Sequence, residues 1–400
     1  MLLQSRVPLA WLNLTHSKRR FLVSVVGISF AVLLMFVELG FWRALLDSQT
    51  AILRTTDADL FLVSASTSTI TDAQAFPLAR LEQARAVPGV AWAQPLYIRY
   101  FPFMWKNQEN ADVPEWPIRV IAVDADPHHP AFREEMMPHF DEDREKLLTP
   151  NSALLDDRSK SIYDLMEIWR SGGPSPVGAE REVGGQKLRI VGLFRLGTDF
   201  TTDGNLLMTT RNLARFLPGG KPLDSVQIGL VKLAPGAKSR EVAAALQRAL
   251  PVDMRVVPRN ELIDEEEAFW THSTPIGFVF MLGLIVGFVV GVVICYQILA
   301  TEVSDHLAEF ATLKAMGYSN RYISRVVLQE ALWLSLLGFV AGLAIGWPLY
   351  TALESKTGLP LRITFTRTGL ILMLTVAMCI LSGFLALKRV RTADPAEVFG

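Results

Sequence analysis

The residues best suited to chemistry stand in the stretch DADPHHP, at positions 124–130. It brings Asp124 and Asp126 close in sequence to His128 and His129, and carboxylates and imidazoles are common ligands of divalent metals. Prolines interrupt the stretch, however, and no second cluster of His or Cys lies nearby in the sequence. Adjacent histidines also rarely bind one ion. The pattern therefore favours a polar turn over a metal site.

Other catalytic motifs are absent from the 400 residues. The sequence has no GxxxxGK[ST] phosphate loop, no G-x-S-x-G nucleophile elbow and no H-E-x-x-H motif. The stretch HFDEDREK (139–146) is typical of a solvated acidic segment. Cys295 and Cys379 fall inside apolar runs, which indicates small packing residues rather than a disulfide or zinc framework. We expect no catalytic residue, no bound metal and no cofactor in this chain.

The composition indicates a membrane protein. Half of the residues are hydrophobic and the formal net charge is -1, so charge gives no reason to expect nucleic-acid binding. Four stretches are long and apolar enough to cross a bilayer: residues 21–42, 276–300, 326–350 and 369–387. The first lacks a small-x-small cleavage site and is longer than a signal peptide core. We therefore expect an uncleaved signal-anchor and an α-helical membrane protein with four transmembrane helices.

Basic residues near these spans predict the orientation. They cluster before the first span, between the second and third, and after the fourth, which is one side of the membrane if the chain crosses four times. The members are Arg6, Lys18, Arg19, Arg20; Lys314, Arg321, Arg325; Lys388, Arg389 and Arg391. Arg362 and Arg367 on the other side do not reverse the bias. We expect both termini in the cytoplasm of a bacterium and the large segment between the first two spans outside the inner membrane.

That large segment has the pattern of a mixed α/β domain. Short apolar runs predict strands at 59–64, 95–105, 118–124, 187–196, 205–209 and 225–233, and helical spacing predicts helices at 77–86, 210–217 and 238–250. Gly184-Gly185 predicts a hairpin turn, and SGGPSPVG (171–178) a mobile loop. Helix-compatible residues flank the domain on both sides, so we expect both spans to continue outward as stalks.

Glycine spacing predicts close packing of the spans. The second span contains Gly283, Gly287 and Gly291, and the third contains Gly338, Gly342 and Gly346. Each set repeats small-xxx-small, which places three glycines on one helix face. The alternative is that glycine is simply frequent in membrane helices.

The stretch HLAEFATLKAMGYSNRYISRVVLQE (306–330) separates the second span from the third and predicts a short cytoplasmic helix. Leu307, Phe310, Leu313 and Met316 recur every three residues as an apolar edge, which Glu309 and Lys314 flank. Gly317 stands where a helix C-terminus favours a left-handed residue. The edge would suit a groove on a partner protein, whereas a helix lying in lipid would carry a richer basic face.

Two features near the first span have competing interpretations. VPLAWLNLTHSKRR could form an interfacial helix that buries Leu9, Trp11 and Leu12 in lipid, or an ordinary linker. Glu38 could act in a proton relay. It lies about 26 Å along the helix, however, close to the outer surface of a core about 30 Å thick, which favours a solvated or stalk-facing carboxylate.

The C-terminal third resembles a known family. AEFATLKAMGYSNRYISRVVLQEALWLSLLGFVAGLAIG is similar to the coupling-helix and third-span signature of FtsX-like ABC permeases, which include MacB-type proteins. PLAWLNLTHSKRRFLVSVVGISFAVLLMF, ADLFLVS, VGLFRLGTDFTTDGNLLMT and the terminal RTADPAEVF resemble the DevC type, the permease of the heterocyst glycolipid exporter. So does STPIGFVFMLGLIVGFVVGVVICYQILATEVSDHLAEFATLKAMGY. Glu38 departs from the resemblance, which leads us to expect glutamine there.

The resemblance implies a permease subunit of an ABC exporter that works by mechanotransmission. It implies four spans, a MacB-like periplasmic α/β domain of two subdomains, and a homodimer. A separate DevA-like ATPase would bind ATP and dock on the helix around Leu307–Gly317, while a DevB-like periplasmic adaptor and a TolC-like outer-membrane channel would complete the exporter. Lipid, glycolipid or other cargo would enter from the periplasm or outer leaflet. An FtsX-like regulator of a periplasmic hydrolase is the alternative; a ligand sensor and an intramembrane lipid enzyme are more remote.

The predicted domain boundaries follow from these elements. They are 1–20 for an interfacial helix, 21–56 for the first transmembrane helix and stalk, 57–258 for the α/β domain, 259–303 for the second stalk and span, 304–318 for the coupling helix, 319–353 for the third span, 354–368 for an outer loop, 369–388 for the fourth span and 389–400 for a cytoplasmic tail.

Overall fold

The computed structural model describes residues 9–100, 102–107, 115–217 and 223–392. They form two compact units, a helical unit (residues 9–43, 275–353 and 361–392) and an α/β unit (residues 44–274 and 354–360). The predicted tail falls largely outside the described residues. The helices are α1 (Leu9–His16), α2 (Lys18–Gln49), α3 (Ala51–Thr55), α4 (Ala79–Arg85), α5 (Phe140–Leu147), α6 (Asp164–Arg170), α7 (Thr210–Phe216), α8 (Ser239–Ala249), α9 (Arg259–Ala268), α10 (Pro275–Asp305), α11 (Leu307–Ala315), α12 (Asn320–Thr357) and α13 (Phe365–Thr392).

Four of these helices are long and apolar enough to cross a membrane. By length and composition they are α2, α10, α12 and the part of α13 from Phe365 to Leu387, with mean hydropathies of 2.5, 3.0, 1.8 and 2.6 over their most apolar windows. α12 has 38 residues and is therefore about 57 Å long, well beyond a hydrocarbon core of about 30 Å. The four predicted spans are present as helices.

The strands of the α/β unit form one large sheet and a small two-stranded one. They are β1 (Leu60–Ser64), β2 (Phe76–Pro77), β3 (Val90–Arg99), β4 (Met104–Lys106), β5 (Trp116–Pro117), β6 (Arg119–Val123), β7 (Ser152–Asp156), β8 (Glu180–Val183), β9 (Gln186–Phe194), β10 (Asn205–Thr209), β11 (Ser225–Val226), β12 (Ile228–Leu233) and β13 (Met254–Pro258). Among the described residues the large sheet has the order β13-β1-β12-β3-β6-β10-β7-β9-β8-β4-β5, and β11 pairs with β2.

The first part of the sheet has a split βαβ arrangement. In chain order it runs β1, α4, β3, β12, α8, β13, and in space the strands are ordered β13-β1-β12-β3 with antiparallel pairing throughout. The second part, β4 to β10, is inserted in the chain between β3 and β12. Antiparallel pairing of β3 with β6 joins the parts, in a register that sets Leu96 opposite Val123. The second part is therefore an insertion into the first, and the two parts share one sheet.

Alternating side chains bury both faces of this sheet. On β1, Leu60 and Leu62 enter one apolar cluster, whereas Phe61 and Val63 enter another on the opposite face. Helices α4 and α8 contribute Leu81 and Leu246, among others, to the first cluster. Strands with packing partners above and below have little freedom to flex. β8, by contrast, buries only one face, because Glu180 and Glu182 are exposed.

The predicted hairpin at Gly184-Gly185 joins β8 to β9. Both glycines have positive φ, +56° and +79°, as a tight two-residue hairpin turn requires. The structure contains more strands than the sequence predicts. The prediction missed β7 and β13 and the shorter strands β2, β5 and β8, and the run predicted at 95–105 is divided into the end of β3 and β4.

The ends of the two predicted stalks pack on the second face of the sheet. Ile52 and Leu53 of α3 and Leu262 and Ile263 of α9 are buried in the cluster that contains Phe61. The two helices are also joined by an ion pair of 2.6 Å between Arg54 Nη2 and Glu267 Oε1. The stalk ends are therefore part of the α/β unit rather than flexible linkers to it.

A buried carboxylate holds α9 to the segment after β1. Glu266 is 2% exposed and accepts hydrogen bonds from Thr69 Oγ1 (2.7 Å), Ile70 N (2.9 Å) and Trp270 Nε1 (2.8 Å). Trp270 lies in a π-helical turn, Phe269–Ser273, that follows α9. Desolvation by burial raises the pKa of Glu266, although these three hydrogen bonds oppose the shift.

Replacement of Glu266 by glutamine tests this attachment. One amide oxygen can serve Thr69 and Trp270, but the amide NH₂ would then face the N–H of Ile70, so we expect a loss of about 1–3 kcal/mol in the free energy of unfolding. Because a raised pKa stabilises the protonated folded form, the contribution of Glu266 is fully present at low pH. It falls as the pH rises through the folded-state pKa. Denaturant unfolding of the wild-type chain and the E266Q variant, measured at several pH values around the folded-state pKa, should show that their difference in free energy of unfolding shrinks as the pH rises. A constant or growing difference would contradict the assignment.

Candidate coupling site in the helical unit

Helix α2 lies against two glycine-bearing helix faces. A Cβ added at Gly342 of α12 would meet Val32 Cγ1 at 2.7 Å and the carbonyl oxygen of Ser29 at 3.1 Å. At Gly338 it would overlap the side chain of Ile28, whereas at Gly346 it would lie 3.7 Å from Leu33 Cδ1. The three glycines predicted to share a face of the third span therefore all face α2.

The glycines of α10 approach α2 from another side. A Cβ at Gly291 would meet Ala31 Cβ at 3.1 Å and the sulfur of Met378, and one at Gly287 would meet Met35 Cγ at 3.6 Å. The third glycine, Gly283, lies against the carboxylate of Glu38. Glu38 is half-buried, so it takes part in a helix contact, which the sequence analysis did not foresee.

The predicted coupling helix is α11, between α10 and α12. Its Phe310 is 3% exposed and packs with Val303, Ile323, Val327 and Leu387. Leu313 packs against the same cluster, and Leu307 is half-buried. The apolar edge therefore attaches α11 to its own helical unit at Phe310, which corrects the expectation that this side chain is exposed to a partner.

The outward face of α11 carries other residues. Ala308, Glu309, Thr312 and Met316 are exposed, and Ala308, Thr312 and Met316 follow one another at i, i+4 and i+8. We call Ala308, Glu309, Thr312 and Met316 the outer face of α11. Lys314, also predicted as a docking residue, is half-buried. Of the four residues spaced by three, Phe310 and Leu313 pack on the inner side, whereas Met316 is exposed on the outer face.

Both ends of α11 are tightly defined. Gly317 has a φ of +89°, and backbone hydrogen bonds from Gly317 N to Lys314 O and from Tyr318 N to Leu313 O close the helix C-terminus, as the sequence predicted. At the other end His306 lies 3.0 Å from Glu309 Oε2 and 3.5 Å from Glu302 Oε1. The helix thus connects to α10 and α12 through short turns rather than a loose loop.

A polar contact that the sequence analysis missed joins α1 to α12. Asn13 Nδ2 donates to Glu330 Oε1 at 3.0 Å, and Glu330 is 1% exposed. Trp11 packs edge-on against Trp333 with ring centroids 5.2 Å apart. An ion pair also links Arg20 to Asp305. The sequence feature that could have indicated this contact is Glu330, a single glutamate in the apolar run VVLQEALWL. The helix predicted in this segment is present as α1, and its Leu12 is 52% exposed, while its position in the membrane interface stays a prediction.

The aspartate and histidine residues at 124–130 form a turn. The carboxylate of Asp126 accepts from His128 N at 2.9 Å and lies 3.0 Å from His129 Nδ1. Slight desolvation acts to raise the pKa of Asp126, but the hydrogen bonds from the two histidines outweigh it and lower the pKa. Cys295 and Cys379 are both buried and carry free thiols.

Two family models match the chain. The model of the MacB-like periplasmic core domain matches residues 21–249, from α2 to α8, and that of the FtsX-like permease C-terminal region matches residues 278–395, from α10 onward. The chain belongs to the MacB-like periplasmic core domain family. Its α/β unit is accordingly a MacB-like periplasmic domain, and α10 to α13 are FtsX-like permease helices.

Individual relatives are more distant. Two strains of Mycobacterium tuberculosis, CDC 1551 / Oshkosh and ATCC 25618 / H37Rv, have an uncharacterized ABC transporter permease that is 26% identical over 226 residues. That region is 55% of this chain and 57% of the relative, so the chain spans little more than half the length of the curated relatives it matches.

Two solved structures are also similar. The periplasmic region of MacB from Actinobacillus actinomycetemcomitans has a TM-score of 0.35 at 8% identity, over 52% of this chain and 91% of that one. The extracellular domain of the noncanonic ABC-type transporter YknZ from Gram-positive bacteria has a TM-score of 0.34 at 12% identity, over 50% and 98%.

A matched pair of glycine substitutions tests the contact with α2. Gly338→Ala places a Cβ inside the van der Waals radius of Ile28, and we expect it to destabilise the FtsX-like helices by about 1–3 kcal/mol. Gly346→Ala puts the same atom at an ordinary contact distance and should be neutral. Thermal unfolding of each purified full-length variant in one detergent measures the difference; equal midpoints for the two variants would contradict the packing.

Proposed function

We propose that this chain is the permease subunit of an ABC exporter that works by mechanotransmission in a bacterial inner membrane. Both termini would lie in the cytoplasm, and the MacB-like domain in the periplasm. A separate ATPase subunit would supply ATP hydrolysis, and two copies of this chain would form the transmembrane part. The relatives named ABC transporter permease support the general class.

The observation that carries the proposal is the attachment of helices at both ends. On one side, α3 and α9 are buried against the sheet and joined by the Arg54–Glu267 ion pair. These two helices follow α2 and precede α10 in the chain with few residues between. On the other side, α11 is packed between α10 and α12 through Phe310. A displacement of α11 would therefore be passed into helices rather than absorbed by a loop.

We infer that the ATPase docks on the outer face of α11. A groove on a partner can bind a short helix through residues at i, i+4 and i+8. Ala308, Thr312 and Met316 present this spacing, Met316 is 63% exposed, and Glu309 adds a charge beside them. Phe310 and Leu313 would hold the helix in place from behind, and Gly317 would fix its end. Of the predicted residues, Glu309 and Met316 would touch the partner, whereas Phe310, Leu313 and Gly317 would support the helix.

The remaining partners follow from the same mechanism. A periplasmic adaptor of the DevB type and an outer-membrane channel of the TolC type would receive the cargo from the MacB-like domain. The cargo would be lipid-like, glycolipid-like or another molecule of the periplasm or outer leaflet. Nucleotide would bind to the partner ATPase, and this chain would move in response.

A double substitution on the outer face of α11 tests the docking. Thr312→Arg with Met316→Asp adds bulk and opposite charges to two exposed positions. We expect about tenfold less copurification of the P-loop ATPase that is recovered with the wild-type chain. The full-length protein should still insert and unfold at its usual temperature, since neither side chain is buried.

Phe310→Leu is the matched control, because it keeps the apolar cluster and leaves the outer face unchanged. It should retain the ATPase. Phe310→Asp is less informative, since a buried carboxylate would unfold the cluster itself. Unchanged ATPase recovery with the double variant would refute docking on this face.

A further inference from the structure

The α/β unit contains a cavity of about 710 Å³ that the proposed coupling does not use. Its wall includes the β7–α6 connection, the segment after β9, Ser48 and Ala51, and residues 354–360 at and beyond the end of α12. A volume of this size accommodates the polar headgroup of a lipid or a small phosphorylated sugar.

The cavity has an excess of positive charge. Its lining contains the cations Arg158, Lys160, Arg170 and Lys356 and the carboxylates Asp157 and Glu354. Lys160 is paired with Asp203 at 2.5 Å, and Arg170 donates to the backbone oxygen of Asp157 and to Ser161 Oγ. Arg158 and Lys356 have no carboxylate partner within the part of the chain that the structure describes. Two cations are therefore available to an anion.

Two polar atoms at the cavity have no hydrogen-bond partner among the described residues. One is Oγ1 of Thr198, a residue that is only 2% exposed, and the other is Oδ1 of Asp157. The other carboxylate oxygen of Asp157 binds Arg195 through two hydrogen bonds of 2.8 and 2.9 Å. Burying a hydroxyl without a partner is costly, which points to a ligand that satisfies it. An acceptor such as Asp157 Oδ1 next to cations suits a molecule with both an anionic group and free hydroxyls.

The backbone beside Thr198 leaves no room for a larger residue. Gly358 has a φ of +72°, and an added Cβ would lie 2.6 Å from Thr198 Oγ1. This close approach brings the chain that follows α12 against the cavity. Ser48 belongs to α2. It lies five residues, or about 7.5 Å along the helix, beyond Arg43, the last residue of α2 that belongs to the helical unit. Two candidate membrane helices thus end in the wall of the cavity, which is where a membrane lipid would present its headgroup.

We propose that this cavity binds a phosphate ester that carries free hydroxyl groups, with Arg158 and Lys356 on the phosphate and Thr198 and Asp157 on the hydroxyls. The polyol phosphate headgroup of an anionic lipid is the source that the position favours; a soluble sugar phosphate shares the chemistry. The inference deepens the proposed function by naming a ligand class for the MacB-like domain. Only the interpretation of this ligand as exported cargo rests on the proposed function.

Ligand-induced stabilisation of the full-length chain in maltoside detergent tests the proposal. One arm titrates dioctanoyl phosphatidylglycerol, a second glycerol 3-phosphate, and a third dioctanoyl phosphatidylcholine, and the thermal midpoint is followed in each. We expect phosphatidylglycerol to raise the midpoint and phosphatidylcholine not to. A comparable effect of glycerol 3-phosphate would assign the site to a soluble ester, and its absence would assign the site to lipid.

Variants separate this cavity from other anion sites. Arg158→Gln with Lys356→Gln should weaken the apparent affinity about tenfold, because each lost contact involves a charged group. Arg211→Gln with Arg240→Gln removes the same charge from exposed positions outside the cavity and should leave the affinity unchanged.

Thr198→Val provides a second test that does not depend on charge. Since its hydroxyl has no partner among the described residues, the ligand-free midpoint should stay the same or rise, while the affinity should fall. Equal affinity in the cavity variants and the wild type, or no midpoint shift with any phosphate ester, would overturn the proposal. No ATPase takes part in these measurements, so their failure would leave the proposed coupling untouched.

Discussion

The close approach of α2 to α10 and α12 is a strong constraint on the helical unit. Glycine faces allow the helix surfaces to meet where side chains would otherwise separate them, and at Gly338 and Gly342 a single added carbon has no space. Lipid gives helices no hydrophobic reason to associate, so close packing has to supply much of the attraction. Because α2 contacts both partners, it cannot shift along one of them without disturbing the other. This favours movement of the helices as a group.

The α/β unit also restricts the movement of its elements against one another, by burial and hydrogen bonds rather than by glycine packing. Its central strands are buried on both faces of the sheet, and the ends of the stalks belong to one of the two clusters. Glu266 adds three hydrogen bonds at the point where α9 gives way to the π-helical turn. The turn is a local departure from α-helical geometry, of the kind that often marks a kink between helical segments.

Structural elements that depend on neighbouring residues in the sequence could be predicted from local patterns. The four spans, most central strands, the Gly184-Gly185 hairpin and the cap at Gly317 depend on periodicity or on one residue's conformational freedom. β7 and β13 were missed because short apolar runs are ambiguous between strand and helix. The burial of Phe310 depends on Val303, Val327 and Leu387, and the Asn13–Glu330 hydrogen bond joins residues 317 positions apart. No local pattern carries such information.

The contacts of the helical unit differ in how much displacement they tolerate. Glycine packing weakens steeply with distance, because dispersion contacts are lost over fractions of an ångström. The Arg20–Asp305 ion pair has exposed side chains, 59% and 39%, and water can replace either partner at small cost. Buried Glu330 lies between these cases, since it is held by Asn13 and has little access to solvent. A rearrangement driven from α11 would therefore change the polar contacts of α1 and the end of α10 first, and leave the glycine contacts of α2 intact.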